Sequence, residues 1–402
     1  MGRVSMVERD ALPEDQRRFH DAVRALRRRP ISGPFIVTMN SSPDLAARFA
    51  HLGHYFHARG QADESILPLR VRAFIALIGS RALDGVYEWS AWHNWAIEAG
   101  VSQATADAIR EGRSPDFTAE EALVNTIFTE LLSGHHRLTE ATTKAAFDQF
   151  GIQGLVELVG TLGYFAQIAF PLNAFEMEMS PEQLKSRKPF APLVAGKGTG
   201  TDPEFARRSV PPLMRSGKAM PRVRPLSTHD DVAPEHQHFL DRIVRTRGWL
   251  SGLFQVLLHS PDMAERIAHV GDFFLYETIV SQPVKALTGL IAARELDSDY
   301  VWNASLALAR AAQVDPRSID AIEKGGSISS ASPEQKRVLD FCYQLLRGNH
   351  HVTDGTYRDV VDHFGVPAAV QMSGLLGYFA MMALFANAFE VAPDGDISRP
   401  AL

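Results

Sequence analysis

The sequence predicts an all-α protein built from two tandem helical copies packed as a pseudo-dimer. Three observations predict it. Short motifs recur in order along the chain, helix start and stop signals punctuate each copy, and no sustained period-2 alternation of apolar residues appears. Gly163-Tyr164-Phe165-Ala166 returns as Gly377-Tyr378-Phe379-Ala380, and Asn173-Ala174-Phe175-Glu176 as Asn387-Ala388-Phe389-Glu390, both 214 residues further on. Leu131-Leu132-x-Gly134-x-His136 returns at the same offset as Leu345-Leu346-x-Gly348-x-His350. Tyr87-x-Trp89 and Arg81 match Tyr300-x-Trp302 and Arg294 at 213, and Ser42-Pro43-Asp44 with His51 match Ser260-Pro261-Asp262 with His269 at 218. An ordered series with small insertions is the mark of duplication.

Each helix has its own local signals. A helix runs from Tyr87 to Ala99 and stops at Gly100, and Ser102 caps the next, which Gly112 ends. Thr118-x-x-Glu121 is a capping box, and Ser332-Pro333-Glu334-Gln335 is its counterpart with proline at the first helical position. Thr139 with Glu140, and Thr353 with Asp354, open the following helix in each copy. Ile127, Phe128, Leu131 and Leu132 have the spacing of a core-facing stripe. Two apolar stretches, 155–178 and 368–391, are expected as buried or interface helices rather than membrane spans. Only 15 residues separate Gln371 from Asn387, short of the ~20 a bilayer requires, and the first stretch contains Glu157, Gln167, Pro171, Asn173 and Glu176. The copies are bounded at 1–186 and 229–402. Between them, 187–228 is rich in Arg, Lys, Pro, Gly and Ser and is expected as a linker; its Gly196–Gly200 run lacks the ending of a phosphate loop.

Composition narrows the function. The 402 residues are 45% hydrophobic and 22% charged, the balance of a globular protein, and the net charge of −6 gives no basic field for a phosphate backbone. Nucleic acid is not an expected partner, and neither is a membrane. The single cysteine, Cys342, excludes disulfide frameworks, Cys-ligated zinc and CxxC redox pairs. With a charged start and no apolar leader pattern, the expected location is cytoplasmic.

Tyr87-Glu88-Trp89, then Glu98-Ala99-Gly100-Val101-Ser102, then Ala108-Ile109-x-x-Gly112-Arg113-x-Pro115-x-Phe117, resemble the carboxymuconolactone decarboxylase family of the alkylhydroperoxidase-like superfamily. Leu155-Val156-Glu157-Leu158-Val159-Gly160-x-Leu162-Gly163-Tyr164, ending in Leu172-Asn173-Ala174-Phe175-Glu176, adds to the likeness. It covers about residues 30–180, with 245–392 as a diverged second copy. The resemblance implies an all-helical fold, a homo-oligomer (a trimer of tandem chains as a pseudo-hexamer, or a dimer), and either Cys-based peroxide reduction or cofactor-free decarboxylation. The family's Glu, two Cys and His fall here on Ala73, Gly85, Glu88 and Trp92, and in the second copy on Ala286, Ser298, Val301 and Ser305. Without a thiolate and a resolving thiol, peroxidase chemistry by that route is excluded.

Features confined to the first copy are His54, Glu88, Trp92, His93, Trp95 and His135, which points to one working pocket there. On the Tyr87–Ala99 helix, Glu88 and Trp92 share one face, and Trp89 and His93 the neighbouring one. His93 and Glu88 are the candidate catalytic acid–base pair, with Glu88 desolvated beside indoles and so favoured as an acid. Trp89, Trp92, Arg81, His51, His135, Tyr164 and Asn173 are the candidate substrate-binding residues. The expected activity is a cofactor-independent acid–base reaction, decarboxylation or isomerisation and cyclisation, on an unsaturated carboxylate, lactone or aromatic metabolite. Two alternatives stay open: a non-catalytic ligand-binding or assembly protein, and a metal enzyme using His51 and His54. No cofactor is expected.

Overall fold

The computed structural model describes residues 2–28, 30–57, 65–132, 135–177, 221–325 and 331–394. The inter-copy boundary at 186/187 and the linker as far as 220, including Gly196–Gly200, lie outside the described residues. The protein is all-α, with no strand among the described residues. The first copy holds α1 (Arg17–Arg27), α2 (Pro34–Met39), α3 (Pro43–His57), α4 (Leu69–Ala82), α5 (Val86–Glu98), α6 (Gln103–Arg110), α7 (Ala119–Leu132) and α8 (Glu140–Ala174). The second holds α9 (Gln237–Arg247), α10 (Gly252–Leu257), α11 (Pro261–Asp272), α12 (Gln282–Glu295), α13 (Asp299–Ala311), α14 (Pro316–Glu323), α15 (Pro333–Leu346) and α16 (Asp354–Phe389).

The caps explain why helices begin where they do. Ser102 Oγ accepts from the Thr105 amide, Thr139 from Thr142 and Thr353 from Thr356. Thr118 and Glu121 bond reciprocally through side chain and backbone, and Ser332 and Gln335 do the same. The copies also share their unusual backbone: Asp84 and Asp297 have φ of 50° and 49°, and His136 and His350 have 55° and 59°. Both long helices break at a glycine, Gly151 (φ 68°) in α8 and Gly365 (φ 81°) in α16, in the left-handed region where a Cβ is costly.

Helices α8 and α16 pack on each other at the centre. By length and composition each could cross a membrane, yet their most apolar windows are 100% and 94% buried inside the molecule. Their close approach depends on small residues. A Cβ on Gly377 would lie 2.6 Å from Gln167 Cα, and one on Gly163 would press on Met381. Residues 167 and 381 are themselves repeat equivalents, so the contact is reciprocal.

Other contacts between the copies are reciprocal as well. Arg48 Nη1 donates to the carbonyl of His269 (3.0 Å), and Arg266 Nη1 donates to that of His51 (2.8 Å). The two imidazoles meet edge to face with centroids 6.2 Å apart. Arg137 pairs with Asp297 (3.0 Å), and His351 faces Asp84 (3.5 Å). Arg3 and Arg222 each donate their amide to the end of a long helix, at Phe175 and Phe389, and their guanidinium to the opposite copy, at Val352 O and Leu138 O. Residues 221–228, read from sequence as linker, are thus fixed parts of the second copy: Arg222 is the counterpart of Arg3, and the Leu226 amide bonds Gln255 O.

Candidate functional site

A left-handed Asp84 turns the chain from α4 into α5, and the Gly85 amide returns to Ser80 O (2.7 Å). This corner delivers Glu88 in the first turn of α5. A Cβ on Gly85 would come within 2.9 Å of Glu88 Oε2, so glycine is what lets the carboxyl fold back there. Glu88 is 1% exposed, and neither of its oxygens has a hydrogen-bond partner among the described residues. Burial alone pushes its carboxyl well above the usual range, toward the acid form.

Glu88 borders a cavity of about 290 Å³ whose wall also includes Arg27, Tyr87, Trp92, Tyr164 and Ile168. Behind that wall the His57 ring stacks on Trp92 (4.2 Å, 26°) and packs against Tyr164, Phe165 and Trp95. The site is therefore an apolar, aromatic-sided pocket with one buried acid, Glu88, in its lining. A buried acid of that kind is suited to donating a proton or a hydrogen bond, and water has little access to compete.

The structure brings together only some of the residues singled out from sequence. Glu88, Trp92 and Tyr164 line the cavity. His93 is buried but absent from the lining: five positions beyond Glu88 on a helix, it turns toward Trp89 (5.8 Å) and its Nδ1 meets Asn94 Oδ1 at 3.1 Å. The proposed Glu88–His93 pair is thus not assembled, because five residues on a helix are about 140° apart. Trp89 is fully buried in the core. His51 lies at the contact between copies, and its imidazole is pushed down to about 4 by burial and then by Arg266. His135 is exposed, Arg81 sits beside Gly112, and Asn173 Nδ2 donates to Leu83 O (2.8 Å), as Asn387 does to Leu296 O (2.7 Å). Those asparagines tie the long helices to the α4–α5 and α12–α13 corners. Among the described residues no three His, Cys, Asp or Glu side chains cluster as metal ligands, so His51 and His54 lack a third partner. Cys342 is buried in the second copy, its thiol pushed up to about 12 by burial.

Sequence reasoning missed Arg27, Tyr87 and His57 as members of the site. Tyr87 recurs as Tyr300 and so reads as scaffold. His57 stood in view in the His51–His57 cluster, with Leu275 at its place in the second copy. Arg27 belongs to an arginine-rich helix end that carries no motif.

No family model, no curated protein and no solved structure matches this chain.

Proposed function

We propose that the chain is a carboxymuconolactone decarboxylase-like protein whose first copy carries a cofactor-independent proton-transfer site with Glu88 as the donor. The observation that carries the reading is the Glu88 carboxyl: buried, without a hydrogen-bond partner among the described residues, pushed toward its acid form by burial, on a residue that lines an aromatic-walled cavity. The family resemblance supports it, because the positions it assigns to functional residues, Gly85, Glu88 and Trp92, gather at this corner.

The chemistry follows from one movable proton. A flat unsaturated carboxylate or lactone occupies the cavity that Trp92 and Tyr164 line. In decarboxylation the bond to the carboxylate breaks, its electron pair passes into the conjugated system, and carbon dioxide leaves. The Glu88 proton then goes to the electron-rich carbon, and solvent reprotonates Glu88. In isomerisation the same carboxyl gives a proton at one carbon and takes one back from another. His93, off the lining, has no part in either route.

The test is turnover of carboxylated lactones and unsaturated acids in deuterated water, read by mass spectrometry of the product. Glu88→Gln keeps the shape and loses the proton, and turnover should fall at least ~100-fold, the usual worth of a general acid. His93→Ala should retain turnover. A Glu88→Gln protein as active as the parent, or a product of the parent protein without deuterium, overturns the assignment, and no product from any of these substrates favours the ligand-binding alternative.

A further inference from the structure

Another cavity lies in the second copy, apart from Glu88. Helices α13 and α14 both pack on α12 and leave between them an open groove of about 900 Å³. Its floor is apolar, formed by Trp302, Leu306, Val314 and Ile319, and its charges stand at the two ends. Asp299 opens α13 and Arg310 stands in its last turn, about 16 Å further along the helix. Glu323 joins the Asp299 end, because its carbonyl accepts from Arg294 Nε (2.6 Å), just before the corner that leads into α13. One end is therefore acidic and the other basic. The Arg310 guanidinium and the Glu323 carboxylate make no hydrogen bond or ion pair among the described residues, and the Asp299 carboxylate accepts only from the Asn303 amide (2.8 Å). Asp320, by contrast, is paired with Lys324 (2.7 Å).

The helices themselves do not require these charges. At the same places, 213 residues earlier, α5 has Val86 and Ile97, and α6 ends on Arg110 where α14 ends on Glu323. A cation in the last turn complements the helix dipole and a carboxylate opposes it, so Glu323 stands against the preference of its own helix. The corresponding face of the first copy is also closed: Ser90 and His93 are buried, whereas Asn303 is exposed and Leu306 half-buried. The groove and its two charged ends belong to the second copy alone.

We infer that this groove binds an extended peptide segment of a partner protein, about five residues long, basic at one end, acidic at the other and apolar between. Five extended residues at ~3.3 Å each cover the span from Asp299 to Arg310. The basic side chain of the peptide meets Asp299 and Glu323, its acidic side chain meets Arg310, and its apolar side chains cover Trp302, Leu306 and Ile319. The Gln313 side-chain amide, at the Arg310 end and also without a partner among the described residues, matches a main-chain amide. None of these residues lines the Glu88 cavity, so the groove and the proton-transfer site are tested separately.

The probes are the end-capped pentapeptide Lys-Leu-Phe-Leu-Glu, its neutral form with Gln at both ends, and a doubly basic form with Lys at both ends. Each is titrated calorimetrically into the full chain. The Lys/Glu peptide should bind about fivefold more tightly than the neutral one, the combined worth of two exposed ion pairs. High salt should shrink that advantage. Glu323→Gln should reduce it to about twofold. Arg310→Glu should reverse the order, so that the doubly basic peptide binds best, while thermal unfolding stays unchanged. Binding of none of the peptides, equal binding of the charged and neutral ones, or an order unchanged in Arg310→Glu overturns the groove as a peptide site.

Discussion

The two copies are built on one plan and differ where chemistry would happen. Helices α5 and α13 share their length, their corner and an asparagine tie to the long helix. At corresponding places, however, the first copy has Glu88, Trp92 and His57, and the second has Val301, Ser305 and Leu275. The first copy opens a cavity beside Tyr87, whereas the second seats Asp394 on Tyr300. Duplication thus separates scaffold from site within a single chain. What both copies keep holds the fold together, and what one copy keeps alone is where function should be sought.

The largest effect that can break this comparison is the loss of turnover in Glu88→Gln. Its stability should be unchanged or slightly raised, because an unpartnered buried carboxyl contributes no hydrogen bond whose loss would be felt. Thermal unfolding checks that half of the expectation. A marked drop in melting temperature would mean that Glu88 braces the corner.

Next come the crossing glycines, which look equivalent in sequence and are not equivalent in surroundings. A Cβ on Gly377 would meet backbone, with Gln167 Cα at 2.6 Å and its carbonyl oxygen at 2.9 Å. A Cβ on Gly163 presses first on Met381 Cγ, which can rotate, with Met381 Cβ at 3.0 Å and its Cα at 3.2 Å behind it. Gly377→Ala should cost about 3 kcal/mol and Gly163→Ala about 1 kcal/mol, since only the second neighbour can rotate aside. Urea unfolding of the two variants should place Gly377→Ala well below Gly163→Ala, and equal losses would show that the helices shift rather than strain.

The contact between copies should also be sensitive to acid. His51 is held at about 4 by burial, with Arg266 and His269 adding repulsion and Asp262 opposing it. Its folded value is below the unfolded 6.5, so the unfolded chain binds more protons between those limits. Stability contributed by the neutral imidazole is complete above about 6.5 and is lost as pH falls toward 4, by up to ~3 kcal/mol. His269, also lowered by burial, acts in the same direction. His51→Asn should flatten this part of the stability profile, and an unaltered slope would assign the acid sensitivity elsewhere.

The all-α class and the helix boundaries are legible in the sequence because their signals are local and doubled. Capping boxes at Thr118 and Ser332, the left-handed stops and the apolar long helices are all written in neighbouring residues, and the second copy repeats them. The site was legible only in part. Glu88 and Trp92 stand out as four-spaced additions on one helix. Their partners Arg27 and Tyr164 come from other elements, α1 and α8, and no spacing rule links residues 27, 88 and 164, while Tyr87, next to Glu88 on the same helix, reads as scaffold because it recurs as Tyr300. His93 misleads for the same reason: adjacency in sequence on a helix turns it about 100° away from Trp92. Arg48 and Arg266 anchor the copies through backbone carbonyls, which a sequence does not display.

The smallest effect concerns Asp394, and it bears directly on how the copies diverged. If the second copy is a former cavity sealed by its own carboxylate, Asp394→Ala should unseal it. Losing two hydrogen bonds at a partly exposed residue should cost only about 1 kcal/mol, leaving the fold intact. The vacated place keeps the Tyr300 hydroxyl and the Gly252 amide but has Val301 and Ser305 in place of Glu88 and Trp92. A small aromatic carboxylate such as cinnamate should therefore gain a binding site in Asp394→Ala that the parent protein lacks, and adding Tyr300→Phe should remove it. The gained site should support no proton transfer, since the donor is missing. No gained site would mean that the second copy has closed by repacking, with Asp394 following that change rather than enforcing it.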